Sequence, residues 1–284
     1  MGWKILTMSL VLVMVLPFTA CGDGAEVPSA QEIIDGATQA LDDIRTYEFE
    51  MDTTLDMAGE AEGETFEMSM RIVSSGALDL DNRKIGLNMA INVAIPEEDE
   101  AEMAIEAYLI DNMGYVMMDA PGTDPTWERE EVSETDWEEV IEVLSMAKLQ
   151  VELLESAEVE VIGSEKVQGV DCYVLQVTLD MAQLWETVME QSVLGFGGEM
   201  GLPELTEEIL DASSYSFSFK QWIAKDTYFL TKVEIDMSIE LTAEAMEVEE
   251  GEASIDSTMT MLAYNYNQPV SIELPPEAEE AIEY

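Results

Sequence analysis

Residue types that carry chemistry are unevenly represented in this 284-residue chain, with 62 aspartates and glutamates and no histidine. Without histidine there is no Ser-His or Cys-His nucleophile pair, and the commonest general base and metal ligand are both missing. So many carboxylates pair by chance that a Glu-Asp couple for acid–base work carries no signal. Asp79-Leu80-Asp81-Asn82-Arg83 begins like a calcium loop, but Arg83 stands at a ligand position and no glycine follows it. The stretch Gly195 to Gly201 (GFGGEMG) misses the GxGxxG dinucleotide pattern, because Met200 stands where the third glycine belongs. Cys21 and Cys172 are the only cysteines, too few for a disulfide framework. Cys172, within Val170-Asp171-Cys172-Tyr173, reads as a small buried apolar residue. The expectation is a protein that is not an enzyme, with no catalytic residue, no metal and no cofactor.

Charge and the amino terminus say more. The net charge is −51, and every acidic residue follows Cys21. Such a surface repels nucleic acid phosphates and anionic lipid headgroups, which excludes nucleic acid as a partner. Met1 to Lys4 is a short positive segment, and Ile5 to Leu16 is apolar apart from Thr7 and Ser9. Twelve helical residues span roughly 18 Å, short of a hydrocarbon core of roughly 30 Å, so this is a signal peptide and not a membrane span. Phe18-Thr19-Ala20-Cys21-Gly22 resembles the bacterial lipobox, whose cysteine is acylated through sulfur and becomes the new N-terminus; Phe18 departs from the usual leucine. The alternative is an ordinary leader cleaved near Ala20. The expected division is a signal peptide over 1–20, a lipidated Cys21 with a flexible tether over 21–28, and a single domain over 29–284.

The elements that must position any site are mostly strands. From Val233 to Ala245 every odd residue is apolar and every even residue is polar, the period of two that marks a strand with one buried face. Further strands are read at Thr46 to Met57, Phe66 to Ile72, Gly86 to Ile95, Glu102 to Asp111, Gly114 to Asp119, Trp127 to Glu131, Glu158 to Gly163, Val170 to Leu179, Ser213 to Ile223 and Ser254 to Asn267, and at least five of these segments repeat the alternation. Gly59 to Glu64 reads as the turn between the first two of these, and Gly169 marks a later one. Pro269, Pro275 and Pro276 argue against further regular structure in the tail.

Three helices are expected to cover the sheet. Ser29-Ala30-Gln31-Glu32 is a capping box opening a helix with Ile33, Ile34, Ala37, Leu41 and Ile44 on one face. Thr135-Asp136-Trp137-Glu138 is a second capping box, ahead of Val140, Ile141, Leu144, Val151 and Leu154 at helical spacing. Asp180 starts a third helix, with Met181, Leu184, Trp185, Val188 and Met189. The fold class is therefore α+β: a large curved antiparallel sheet, an open half-barrel, with about three amphipathic helices on its concave face.

Ile33 to Tyr47, Gly163 to Thr178 with its GxDCYVLxVT-like core, Gln221 to Lys232 (QWIAKDTYFLTK) and Tyr264 to Ala278 carry a resemblance in this order. The chain resembles the LolA/LolB-like and LppX/LprG-like bacterial lipoprotein superfamily over nearly all of its processed length. That resemblance implies a half-barrel closed by helices over an acyl-chain cavity, and a periplasmic or cell-surface protein, lipid-anchored on the extracytoplasmic face of the membrane, that binds or carries a lipid. The same fold serves envelope sensors, so an alternative is a sensor or interaction module with an envelope protein partner.

Of the 20 methionines, 17 follow Cys21, and many fall on inward faces. Methionine is unbranched and polarizable and suits surfaces that adapt to variable apolar shapes, although a solid methionine-rich core would use it equally. The cavity candidates are Phe49, Met51, Leu55, Phe66, Met68, Met70, Met89, Ile91, Trp137, Ile141, Leu144, Leu184, Trp185, Val188, Phe217, Phe219, Ile235, Met237, Ile239, Met259 and Met261. Phe196 and Met200 are candidates for an apolar lid; the alternative for that stretch is a glycine-capped helix end.

Overall fold

The computed structural model describes residues 28–61, 63–96, 100–133, 137, 151, 153–154, 157–179, 214–243 and 250–283. It opens with α1 (Ala30–Leu41). The capping box forms as expected: the Ser29 backbone N–H donates to the Glu32 carboxylate at 2.8 Å, and the Glu32 N–H donates to Ser29 Oγ at 3.3 Å. Ile33, Ile34, Ala37 and Ala40 form its buried face. Among the described residues α1 is the one complete α-helix, where about three were expected to cover the sheet. The second expected helix is described only at Trp137, Val151, Leu153 and Leu154, which are helical, and the third lies outside the described residues. No helix among the described residues is long and apolar enough to cross a membrane.

The strands are β1 (Thr46–Ala61), β2 (Glu64–Asp79), β3 (Lys84–Ala94), β4 (Ala101–Ile110), β5 (Met113–Asp119), β6 (Thr126–Glu131), β7 (Glu158–Val167), β8 (Val170–Thr178), β9 (Ser214–Ala224), β10 (Leu230–Thr242), β11 (Gly251–Tyr264) and β12 (Ile282–Glu283). They form one open, curved sheet in the order β12-β6-β5-β4-β3-β2-β1-β11-β10-β9-β8-β7. The first six strands meander outward from the centre. The next five begin at the opposite edge and meander back until β11 pairs with β1. Every pairing is antiparallel except that of β12 with β6.

Turn chemistry sets the registers. Gln168 and Gly169 join β7 to β8, both at positive φ (49° and 91°), the geometry whose twist matches a two-residue hairpin. Between β2 and β3, Arg83 takes φ 52°, and the Asp79 carboxylate accepts from Asn82 N (3.0 Å) and Asn82 Nδ2 (2.7 Å). The stretch that begins like a calcium loop is thus a hairpin turn that uses its first carboxylate internally.

Two sequence expectations are corrected. Residues 59 to 61 and 64 belong to the strands and not to a turn: Gly59 pairs with Phe66 and Ala61 with Glu64. Long cross-strand pairing overrides the weak strand propensity of glycine and glutamate. The tail does continue into regular structure, with a 3₁₀ turn over Pro276–Glu280 and then β12. Pro276 sits at the start of that turn, where a missing N–H costs nothing. Asn267 fastens the tail to the base of the sheet: its N–H donates to Thr46 O, its Nδ2 donates to Asp43 O, and its Oδ1 accepts from Arg45 N.

Candidate ligand-binding face

The register places the sequence candidates of β1, β2, β3, β9, β10 and β11 on one inner face. Met51 stands between Ser74 and Met261, Leu55 between Met70 and Ser257, and Met57 between Met68 and Ile255. Ile235 stands between Phe219 and Met259, and Met237 between Phe217 and Ser257. The alternate residues of the same strands, including Glu48, Glu50, Asp52, Asp56, Glu234, Asp236 and Glu240, form the outer face.

Depth varies over this face. Phe219, Met261 and Ile239 are sealed, and Phe49, Met70 and Ile91 are buried. Met51, Leu55, Met68, Met89, Phe217, Ile235, Met237 and Met259 are only half-buried. Phe66 (40% exposed), Val116 (45%) and Met118 (48%) reach solvent on the same side. Trp137 is buried beside Phe49, Leu78 and Ile85, with the Arg83 guanidinium 5.0 Å from its ring centre. Cys21, Ile141, Leu144, Leu184, Trp185, Val188, Phe196 and Met200 lie outside the described residues.

Glycines let rings lie against the sheet. A Cβ at Gly76 would come within 2.6 Å of the Phe49 ring, and one at Gly59 within 2.7 Å of Phe66. Two open clefts are present among the described residues. One, of about 790 Å³, sits at the ends of β1, β10 and β11 between apolar Leu241 and Ala253 and the carboxylates of Glu60, Glu240 and Glu252. None of the sequence candidates lines it. The other, of about 290 Å³, does include Phe217 and Met237.

Electrostatics separate the two faces. No lysine or arginine shares the inner face on β1, β2, β3, β9, β10 or β11. On the outer face Arg71 grips Asp52 with two hydrogen bonds (3.0 and 2.6 Å), which hold that carboxyl below the usual range. Tyr264, burdened first by desolvation and then by its 3.0 Å hydrogen bond to Glu50, is pushed up to about 12. Burial likewise raises Tyr47 and Tyr266 in the aromatic stack beneath α1 and raises the Cys172 thiol, which keeps that sulfur protonated.

Sequence reasoning missed three features. Trp222 sits on the outer face with Val167, Cys172 and Val174, covered by the Lys232 ammonium at 4.5 Å, and its Nε1 donates to Glu165 at 2.9 Å. The large cleft depends on strand ends that only the β1–β11 pairing brings together. Ser74 is a polar residue on the inner face of β2, detectable as a break in the apolar alternation after Ile72.

Residues 29–283 match the model of a family described as one of unknown function (DUF6612). No curated protein matches the chain. Among solved structures, it is similar to the Mycobacterium tuberculosis lipoprotein LppX, with 10% identity over 86% of this chain and 98% of that one and a TM-score of 0.38. It is similar to LprF from Mycobacterium bovis, with 12% identity over 87% and 96% and a TM-score of 0.42. It is also similar to a putative outer membrane lipoprotein-sorting protein domain from Vibrio parahaemolyticus, with 10% identity over 86% and 95% and a TM-score of 0.24. At TM-scores below 0.5 these likenesses carry no argument about what the chain does.

Proposed function

We propose that this chain, which belongs to DUF6612, a family of unknown function, is a membrane-anchored extracytoplasmic lipoprotein that holds a lipid or other apolar ligand against the inner face of its sheet. One observation carries this reading. The methionine-rich middle of the face, from Met68 through Met51 to Met259 and Met237, is half-buried and is flanked by exposed Phe66. A sheet that needed only a core would gain by sealing those side chains, each by a part of the roughly 1.5–3 kcal/mol that separates a fully exposed from a fully buried apolar side chain. An acyl ligand would gain about 0.8 kcal/mol per methylene buried there, enough to compete with a bilayer if the contact is continuous. The cleft between Leu241, Ala253 and the three glutamates is the entrance, and its charge turns away anionic headgroups.

Acylated Cys21 is the anchor, with 1–20 removed as a signal peptide and 29–284 acting as the binding domain. The lack of histidine and the burial of Cys172 support binding without covalent chemistry. Mass spectrometry of organic extracts from the purified protein tests the ligand: stoichiometric lipid supports the reading and its absence overturns it. Replacing Cys21 by serine should release the protein from the membrane fraction. A second reading, an envelope interaction module, is favoured by the exposed pair Val116 and Met118 on β5, which would take a protein partner.

A further inference from the structure

Along β2 the inner face reads Phe66, Met68, Met70, Ile72, Ser74, Gly76, Leu78. Ser74 places a hydroxyl in this apolar row. It is 2% exposed, its cross-strand neighbours are Met51 on β1 and Met89 on β3, and its Oγ has no hydrogen-bond partner among the described residues. A buried hydroxyl without a partner destabilises a fold. Alanine would satisfy the strand equally well, so the fold itself makes no use of this donor.

We infer that Ser74 is the polar recognition point of the ligand site, donating its hydroxyl hydrogen to the neutral carbonyl oxygen of an acyl ester or amide whose chain lies on the methionine-rich face. This rests on the lipid-binding reading above and narrows its ligand class. The carbonyl is neutral because no basic residue shares the inner face on β1, β2, β3 or β11, and a carboxylate buried there would lack a counter-charge. Met51 and Met89, both half-buried and unbranched, can swing aside to admit the group.

The test titrates the full-length chain with hexadecane, methyl hexadecanoate and hexadecanoate by displacement of a polarity-sensitive dye. Urea unfolding of the unliganded protein is followed in parallel. Wild type should prefer the ester to the alkane and to the carboxylate. Ser74→Ala should weaken ester binding roughly fivefold and leave the alkane unchanged, with an equal or higher urea midpoint. Ser74→Thr, which keeps the hydroxyl, should keep the preference. An ester-to-alkane ratio unaltered by Ser74→Ala, or a lowered midpoint, would show that the hydroxyl serves only the fold and would overturn the inference. Alkane binding by wild type with no ester preference overturns this inference alone. Failure to bind any probe overturns the lipid-binding reading as well.

Discussion

The two wings of the sheet follow one sequence rule and meet different fates. On the β7–β11 wing, the inward residues Leu175, Val177, Phe219, Ile223, Val233 and Met261 are sealed beneath Ile33, Ile34 and Ala37 of α1 and beneath Val151 and Leu154. On the β2–β6 wing, Met103 and Ile105 are half-buried, and Val116 and Met118 are exposed over nearly half of their surface. Alternation of apolar and polar residues therefore identifies which face is apolar but does not reveal what covers it. The part of one wing beneath α1 is core, and β5 on the other carries Val116 and Met118 in the open.

The sharpest way to break that contrast is truncation on each wing. Phe219→Ala on the sealed wing should cost about 3–5 kcal/mol in urea unfolding. Met118→Ser on the open wing should stay within about 0.5 kcal/mol. Comparable losses would abolish the distinction. A second probe concerns how α1 seals its wing. Gly36 is a poor helix former, yet a Cβ there would lie 2.6 Å from the Tyr228 ring of the β9–β10 loop. Gly36→Ala should therefore destabilise by about 1–3 kcal/mol, and a thermal melt showing a gain would mean that the helix does not press on that loop.

Smaller effects refine the same picture. Ser29→Ala removes the cap of the covering helix and should cost about 1 kcal/mol by denaturation. Smallest is the outer-face pair Arg71–Asp52. Asp52 has a folded pKa below its unfolded value, so its contribution is present above the ordinary carboxylate range and is lost as pH falls through the depressed value. Arg71→Gln should return the Asp52 titration, followed by NMR, to the ordinary range with little change in stability, because the pair is exposed.

What the sequence made legible follows from how local each signal is. Ser29 and Glu32 lie three residues apart, so the helix start was readable, and the period of two located nearly every strand. Strand order was not readable, because nothing near Thr54 indicates that it will meet Thr258 at 2.7 Å. The same limit hid the large cleft and β12, whose partner Glu128 is far away in sequence. Ser74 was overlooked for another reason: one serine in an apolar row is unremarkable until its burial and missing partner are known. The outer cluster at Trp222 was hidden because Cys172 to Leu175 and Trp222 to Ala224 are continuous apolar runs, which show no alternation to say which residue faces out.

The β1–β11 seam also has a consequence for biogenesis. Thr54 and Thr258 are 204 residues apart, so the middle of the sheet is stitched late, with only β12 still to pair. At ordinary ribosomal speed β1 waits roughly 10–40 s for the strand that will lie beside it, with sixteen residues of open edge and a greasy flank on show. A nascent chain stalled before Gly251 would be left as a sticky half-sheet, so the folding yield of this protein should depend on a holding chaperone until β11 emerges.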